Sequence, residues 1–87
     1  MNIEKELHKI IFKVVDKEEF ELSLNDDLEN VLGYTSIDYI QLIVDLEDYF
    51  QIEFDFVDID LQYYRTYGVL LEFVKSKLKT EEDLMRD

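Results

Sequence analysis

Ser36 has the clearest chemical opportunity in this sequence. It follows Gly33-Tyr34-Thr35 and opens an apolar pattern of helical period. A hydroxyl in that position lies beside N–H groups that have no acceptor within the helix, at the positive end of its dipole. A phosphate attached there would be favourably placed. Thr35 and Asp38 also have the T-x-x-D spacing of a capping box, with Asp shorter than the usual Glu. The simpler reading is that Thr35 or Ser36 only caps the helix. Local spacing favours the simpler reading and leaves the phosphate reading open.

The rest of the catalytic inventory is thin. His8 is the only histidine and cysteine is absent. A nucleophilic triad would need His8, on the polar side of its helix, to meet a serine through the fold. An exposed carboxylate on an acidic surface is ordinarily a solvated charge. Asp55, Asp58 and Asp60 lack the order of acids, glycine and closing glutamate of a calcium loop, so at most weak cation binding is expected there. No glycine-rich phosphate loop is present. An independent enzyme and a resident metal are therefore not expected.

The elements that must position Ser36 are helices. Ile3, Leu7, Ile10, Ile11, Val14 and Val15 follow one helical face, which predicts a first helix over 2–16. Lys5, Lys9 and Lys13 form a separate, solvent-facing stripe. The period is then lost from Lys17 to Thr35, where Phe20, Leu22, Leu24, Leu28 and Leu32 are scattered apolar anchors. A connection of this length is often functional. Residues 24–28 are expected to make one short helical turn, and Gly33 to end the loop. The second helix is predicted over 36–51, with Tyr39, Leu42, Ile43, Leu46, Tyr49 and Phe50 in the core. A narrower stripe of Ile37, Ile40 and Val44 has acids on both sides. It reads either as a wider buried face or as a docking patch with a charged rim. Ile52, Phe54 and Phe56 alternate like a strand with no partner, so a helical turn over 57–61 is preferred. Thr66 is the expected N-cap of a last helix over 67–78. Its apolar face is Val69, Leu70, Phe73, Val74 and Leu78. Residues 80–87 form a charged tail expected to fray.

Composition agrees with one small helical domain. The chain has 87 residues, 22 acidic and 9 basic, for a net charge of −13. It has two glycines and no proline, which disfavours a turn-rich β fold. At 47% hydrophobic residues it is too apolar to be simply disordered. The acidity argues against nucleic acid as a partner and for basic protein surfaces. Between Asp16 and Asp60 the only base among fifteen acids is Lys17. No apolar run reaches the length of a membrane span, and no signal-peptide pattern opens the sequence. The expectation is a cytoplasmic monomer without membrane contact.

The motifs resemble those of the acyl and peptidyl carrier proteins. Gly33-Tyr34-Thr35-Ser36-Ile37-Asp38 is similar to their G-x-D-S-[LI]-[DE] attachment motif, with Thr35 in place of the aspartate. The run from Gln41 through Phe54 is similar to their E-L-[IV]-x-x-[LI]-E-[ED]-x-F-x-[IV]-x-[IFL], with Gln41 in place of an acid. Leu24 to Leu28 resembles the loop before the serine, and Tyr64-Arg65-Thr66 the entry to the last helix. The resemblance spans about residues 2–79.

It implies an all-α four-helix bundle with a long first loop and a short third helix. It implies that Ser36 accepts 4′-phosphopantetheine from coenzyme A, through a separate phosphopantetheinyl transferase that uses magnesium. The arm's thiol would then hold acyl, aminoacyl or peptidyl cargo as a thioester for fatty-acid, polyketide or nonribosomal-peptide-type enzymes, so the absence of cysteine is no obstacle. Ile37, Ile40 and Val44 would contact the modifying and loading enzymes. Asp38, Gln41, Asp45, Glu47 and Asp48 would line that surface, the acids steering basic partners. The competing reading is a carrier-like acidic adaptor that binds a basic protein without a prosthetic group. The six tyrosines are expected at the core or its rim, with hydroxyls at the surface.

Overall fold

Asn2 opens the first helix by accepting the Lys5 N–H at 3.1 Å. In the computed structural model, which describes residues 2–54 and 65–85 with side chains to 78, this helix is α1, Ile3–Val14. Three more helices follow: α2, Leu28–Leu32; α3, Ser36–Phe50; and α4, Tyr67–Met85. Among the described residues every regular element is a helix, as the periodicity indicated. The expected turn over 57–61, which would be the short third helix, lies outside the described residues, as do Asp55, Phe56, Asp58, Asp60, Tyr63 and Tyr64.

α1 packs against both α3 and α4. Leu7, Ile10 and Ile11 are buried as the apolar spacing predicts, and Ile3, Val14 and Val15 pack at the edge. Phe12, 1% exposed, is a core residue outside that face. Its ring is covered by loop residue Phe20, with centroids 4.8 Å apart. Leu42, Ile43, Leu46 and Phe50 of α3, and Leu70, Leu71 and Val74 of α4, complete the buried set. Tyr49 departs from expectation. It is 48% exposed, and its hydroxyl donates to the Glu6 carboxylate at 2.9 Å.

The long connection after α1 is held at several points. His8 places Nδ1 2.8 Å from Glu19 Oε1 and Nε2 2.7 Å from the Phe20 carbonyl. Leu22, Leu28 and Leu32 are buried, whereas Phe20 and Leu24 are exposed. The short helix forms later than expected. Residues 23–26 make a turn in which the Ser23 N–H donates to the Asp26 carboxylate at 2.8 Å. Asp27 then caps α2 by accepting the Glu29 N–H at 2.9 Å.

The loop also caps α4. The Tyr67 N–H donates to the Asp26 carbonyl at 3.0 Å, and the Gly68 N–H to the Leu24 carbonyl at 2.9 Å. The Val69 N–H donates to Thr66 Oγ1 at 3.4 Å, so Thr66 is the cap its position suggested. Three N–H groups that a helix start leaves without intrahelical acceptors are thereby satisfied. Arg65 adds an ion pair to Asp27 at 2.8 Å and to Glu29 at 3.1 Å. α4 runs on to Met85 rather than ending near Leu78. α3 ends at Gln51 in the left-handed region, φ 56°, and the chain turns back to bury Ile52 and Phe54 without forming a strand.

Candidate functional site

The turn between α2 and α3 presents Ser36. Gly33 closes α2 at φ 71°, a left-handed conformation that glycine adopts without a Cβ penalty. The chain then enters Tyr34, which is 2% exposed. Its ring lies against Tyr39, centroids 4.9 Å apart, and its hydroxyl donates to the Ile11 carbonyl at 2.6 Å. Burial, with Asp38 nearby, pushes the Tyr34 hydroxyl well above its ordinary pKa, so it stays a donor. This hydroxyl is inside the protein, contrary to the expectation of surface-facing tyrosine hydroxyls.

Thr35 is the N-cap of α3. Its Oγ1 accepts the Asp38 N–H at 3.2 Å, and the Asp38 carboxylate accepts the Thr35 N–H at 2.9 Å. The capping box is therefore complete despite the shorter acid. It uses the N–H groups of Thr35 and Asp38. The helix supplies no acceptor for those of Ser36 and Ile37, which lie at its positive end.

Ser36 is exposed. Among the described residues its hydroxyl has no hydrogen-bond partner. The capping role thus falls to Thr35. These residues fit a phosphodiester: an accessible hydroxyl, two N–H groups without helix acceptors, and a helix start fixed by its own cap.

Ile37, Ile40 and Val44 are 77%, 47% and 45% exposed. The wider-buried-face alternative is thereby excluded. Their spacing places them on one side of α3, continuing from Ser36 toward Asp48. Asp48 is exposed, whereas Asp38, Asp45 and Glu47 are half-buried. Two of these acids also hold structure: Asp38 closes the cap, and Glu47 accepts the Phe54 N–H at 3.0 Å. Gln41 donates to the Asp45 carboxylate at 2.8 Å, one turn along the helix. Each carboxylate still adds negative charge to the border of the apolar stripe.

Sequence reasoning missed the supports beneath this surface. Lys17 donates to the Leu32 carbonyl at 3.0 Å, and Tyr34 reaches Ile11. Both contacts join segments distant in sequence, and no local spacing marks them. His8, the one residue considered for a triad, is occupied with Glu19 and Phe20. No cluster of metal-binding side chains occurs among the described residues. No described helix is long and apolar enough to cross a membrane.

Comparison with known proteins gives a consistent picture. The family model described as the phosphopantetheine attachment site matches residues 5–74. An acyl carrier protein of Coprothermobacter proteolyticus is 33% identical over 77 residues, covering 88% of this chain and 92% of the relative. A solution structure of a holo acyl carrier protein from Geobacter metallireducens superimposes with a TM-score of 0.78 at 25% identity, covering 95% of this chain and 93% of that one. One from Nitrosomonas europaea gives a TM-score of 0.74 at 27% identity, covering 91% and 99%.

Proposed function

Because the chain belongs to the phosphopantetheine attachment site family, we propose that Ser36 is the residue that carries the arm and that the protein shuttles thioester-bound intermediates between enzymes. The observation that carries this reading is the exposed Ser36 hydroxyl, without a hydrogen-bond partner among the described residues, at the capped start of α3. Its Oγ forms a new bond to the phosphorus that bears pantetheine in coenzyme A. The pyrophosphate P–O bond breaks, adenosine 3′,5′-bisphosphate leaves, and the serine proton passes to a base on the transferase. The N–H groups of Ser36 and Ile37 and the dipole of α3 support the resulting phosphodiester. Once attached, the arm supplies the thiol on which cargo is held.

Ile37, Ile40 and Val44 offer apolar contact to the transferase and to loading and synthase enzymes. Asp38, Asp45, Glu47 and Asp48 attract the basic surfaces of those partners, with Gln41 at the border. Such encounters form quickly, weaken with salt and dissociate readily, as a shuttle requires. The carrier unit is 2–79, acting as a monomer in the cytoplasm within a specialised fatty-acid, polyketide or nonribosomal-peptide-type pathway.

The test is incubation with coenzyme A, magnesium and a permissive transferase. The expected outcome is a mass increase of one phosphopantetheine located at Ser36 and absent from Ser36→Ala. No modification by several transferases, together with partner binding unchanged in Ser36→Ala, would favour the adaptor reading instead.

A further inference from the structure

The turn that carries Ser36 is tied to the end of α1 by two crossed hydrogen bonds. Lys17, just after α1, reaches forward to the carbonyl of Leu32, the last residue of α2. Tyr34, just after α2, reaches back to the carbonyl of Ile11 in the last turn of α1. Helix ends leave their last carbonyls without intrahelical donors. Here each helix is capped by a side chain that follows the other helix, and the two bonded positions, Leu32 and Tyr34, bracket Gly33.

The arrangement answers a mechanical need. α2 has only five residues and is too short to hold itself in water. The N–H groups of Gly33 and Tyr34 donate to the Glu29 and Leu28 carbonyls at 3.0 and 3.2 Å, which ties the turn to α2 but not to α1. The capping box orders α3 from Thr35 onward but does not fix that start relative to α1. The ammonium of Lys17 suits the negative end of α2. The Tyr34 bond is buried, where it is not exchanged for water.

We propose that Lys17 and Tyr34 are positioning residues for the reaction of Ser36, holding the Gly33–Thr35 turn at a fixed height on α1 so that the hydroxyl meets the transferase in one geometry. This rests on Ser36 being the acceptor. Neither side chain touches the reacting atoms. Misplacing an acceptor by about 1 Å costs up to roughly a hundredfold in rate.

The test compares wild type with Lys17→Met, Tyr34→Phe and the double variant. Tyr34→Phe keeps the ring and removes only the donor; Lys17→Met keeps the stem and removes only the charge. Two readouts are taken: transferase kinetics with the apo protein as substrate, and amide hydrogen exchange. In the double variant kcat is expected to fall by about tenfold or more, with KM changed less than about twofold because the Ile37–Val44 stripe is intact. Exchange at the amides of 34–37 should quicken while that at Leu70 and Val74 holds. Lys17→Arg should restore kcat, since it keeps a cationic donor. The inference is overturned if kcat stays within about twofold, or if exchange rises evenly across the protein, which marks general loosening. If wild-type Ser36 is never modified, the carrier reading fails instead, and the exchange arm still decides whether the two bonds hold the turn.

Discussion

The amide of Gly68 donates to the carbonyl of Leu24 at 2.9 Å, and a Cβ placed on Gly68 would stand 2.8 Å from that same oxygen. The first loop therefore lies directly on the start of α4, with room for a hydrogen atom and no more. Leu24 Cβ, at 3.2 Å, crowds the same spot.

Gly68→Ala separates two opposing effects. Alanine would favour an unobstructed helix by about 1 kcal/mol. Here it must push a backbone carbonyl out of its hydrogen bond, and overpacking of this kind costs about 1–3 kcal/mol. A lower melting temperature is expected by thermal denaturation, with faster amide exchange at Gly68's position. A raised melting temperature would show that the loop yields freely.

Leu46→Ala and Ile37→Ala should behave oppositely although both lie on α3. Leu46 is fully buried, and its truncation is expected to cost about 2–5 kcal/mol in chemical denaturation. That is a large share of the stability of so small a domain. Ile37 is 77% exposed, so Ile37→Ala should alter stability by less than about 0.5 kcal/mol. It should instead raise the transferase KM about fivefold. An unchanged KM would remove Ile37 from the docking surface.

Alkali should unfold the protein through its buried tyrosines. Burial, reinforced by Asp27, pushes Tyr39 from 10.0 up to about 12, and its hydroxyl donates to the Arg65 carbonyl at 3.2 Å. Tyr34 is shifted in the same direction by burial. Below pH 10 both states keep these protons, and stability is unaffected by them. Above it the unfolded chain loses protons that the native state retains, so stability falls as pH rises toward 12. Circular dichroism should show cooperative unfolding above about pH 10, accompanied by tyrosinate absorbance. Tyr34→Phe should lessen the slope.

Added salt should stabilise the protein. With a net charge of −13, self-repulsion opposes the compact state. Screening shortens its reach to about 10 Å near 0.1 M salt. Melting temperature should rise between low and moderate sodium chloride, by roughly 4–8 °C for each 1 kcal/mol of relieved repulsion. An unchanged midpoint would mean that the carboxylates are already neutralised by their neighbours.

Much of the site could be read from residue spacing because it is local. Ser36, the Thr35–Asp38 box and the Ile37–Ile40–Val44 stripe all fall within three turns of one helix, where period alone sorts side chains by face. The same logic misplaced Tyr49. It shares the core-facing side, but its length and hydroxyl let it lean outward to Glu6. Phe12 escaped notice for the converse reason: it lies off the periodic apolar face, and His8 and loop residue Phe20 pack against its ring. The late start of α2 reflects a competition between turn and helix over 23–28: Asp26 accepts the Ser23 N–H and closes a turn, and Asp27 caps the helix that follows. Tyr34 and Lys17 find partners across long separations in sequence, which no window of neighbouring residues contains.

Lys17 is the one cation between Asp16 and Asp60, and its ammonium is engaged by the Leu32 carbonyl. Every other charged residue between Asp16 and Asp60 is acidic. A protein that presents carboxylates to the border of the Ile37–Ile40–Val44 stripe meets like charge from Asp38, Asp45, Glu47 and Asp48. Discrimination among visitors can therefore operate through rejection of the wrong ones, leaving the fit around the apolar stripe free to stay loose.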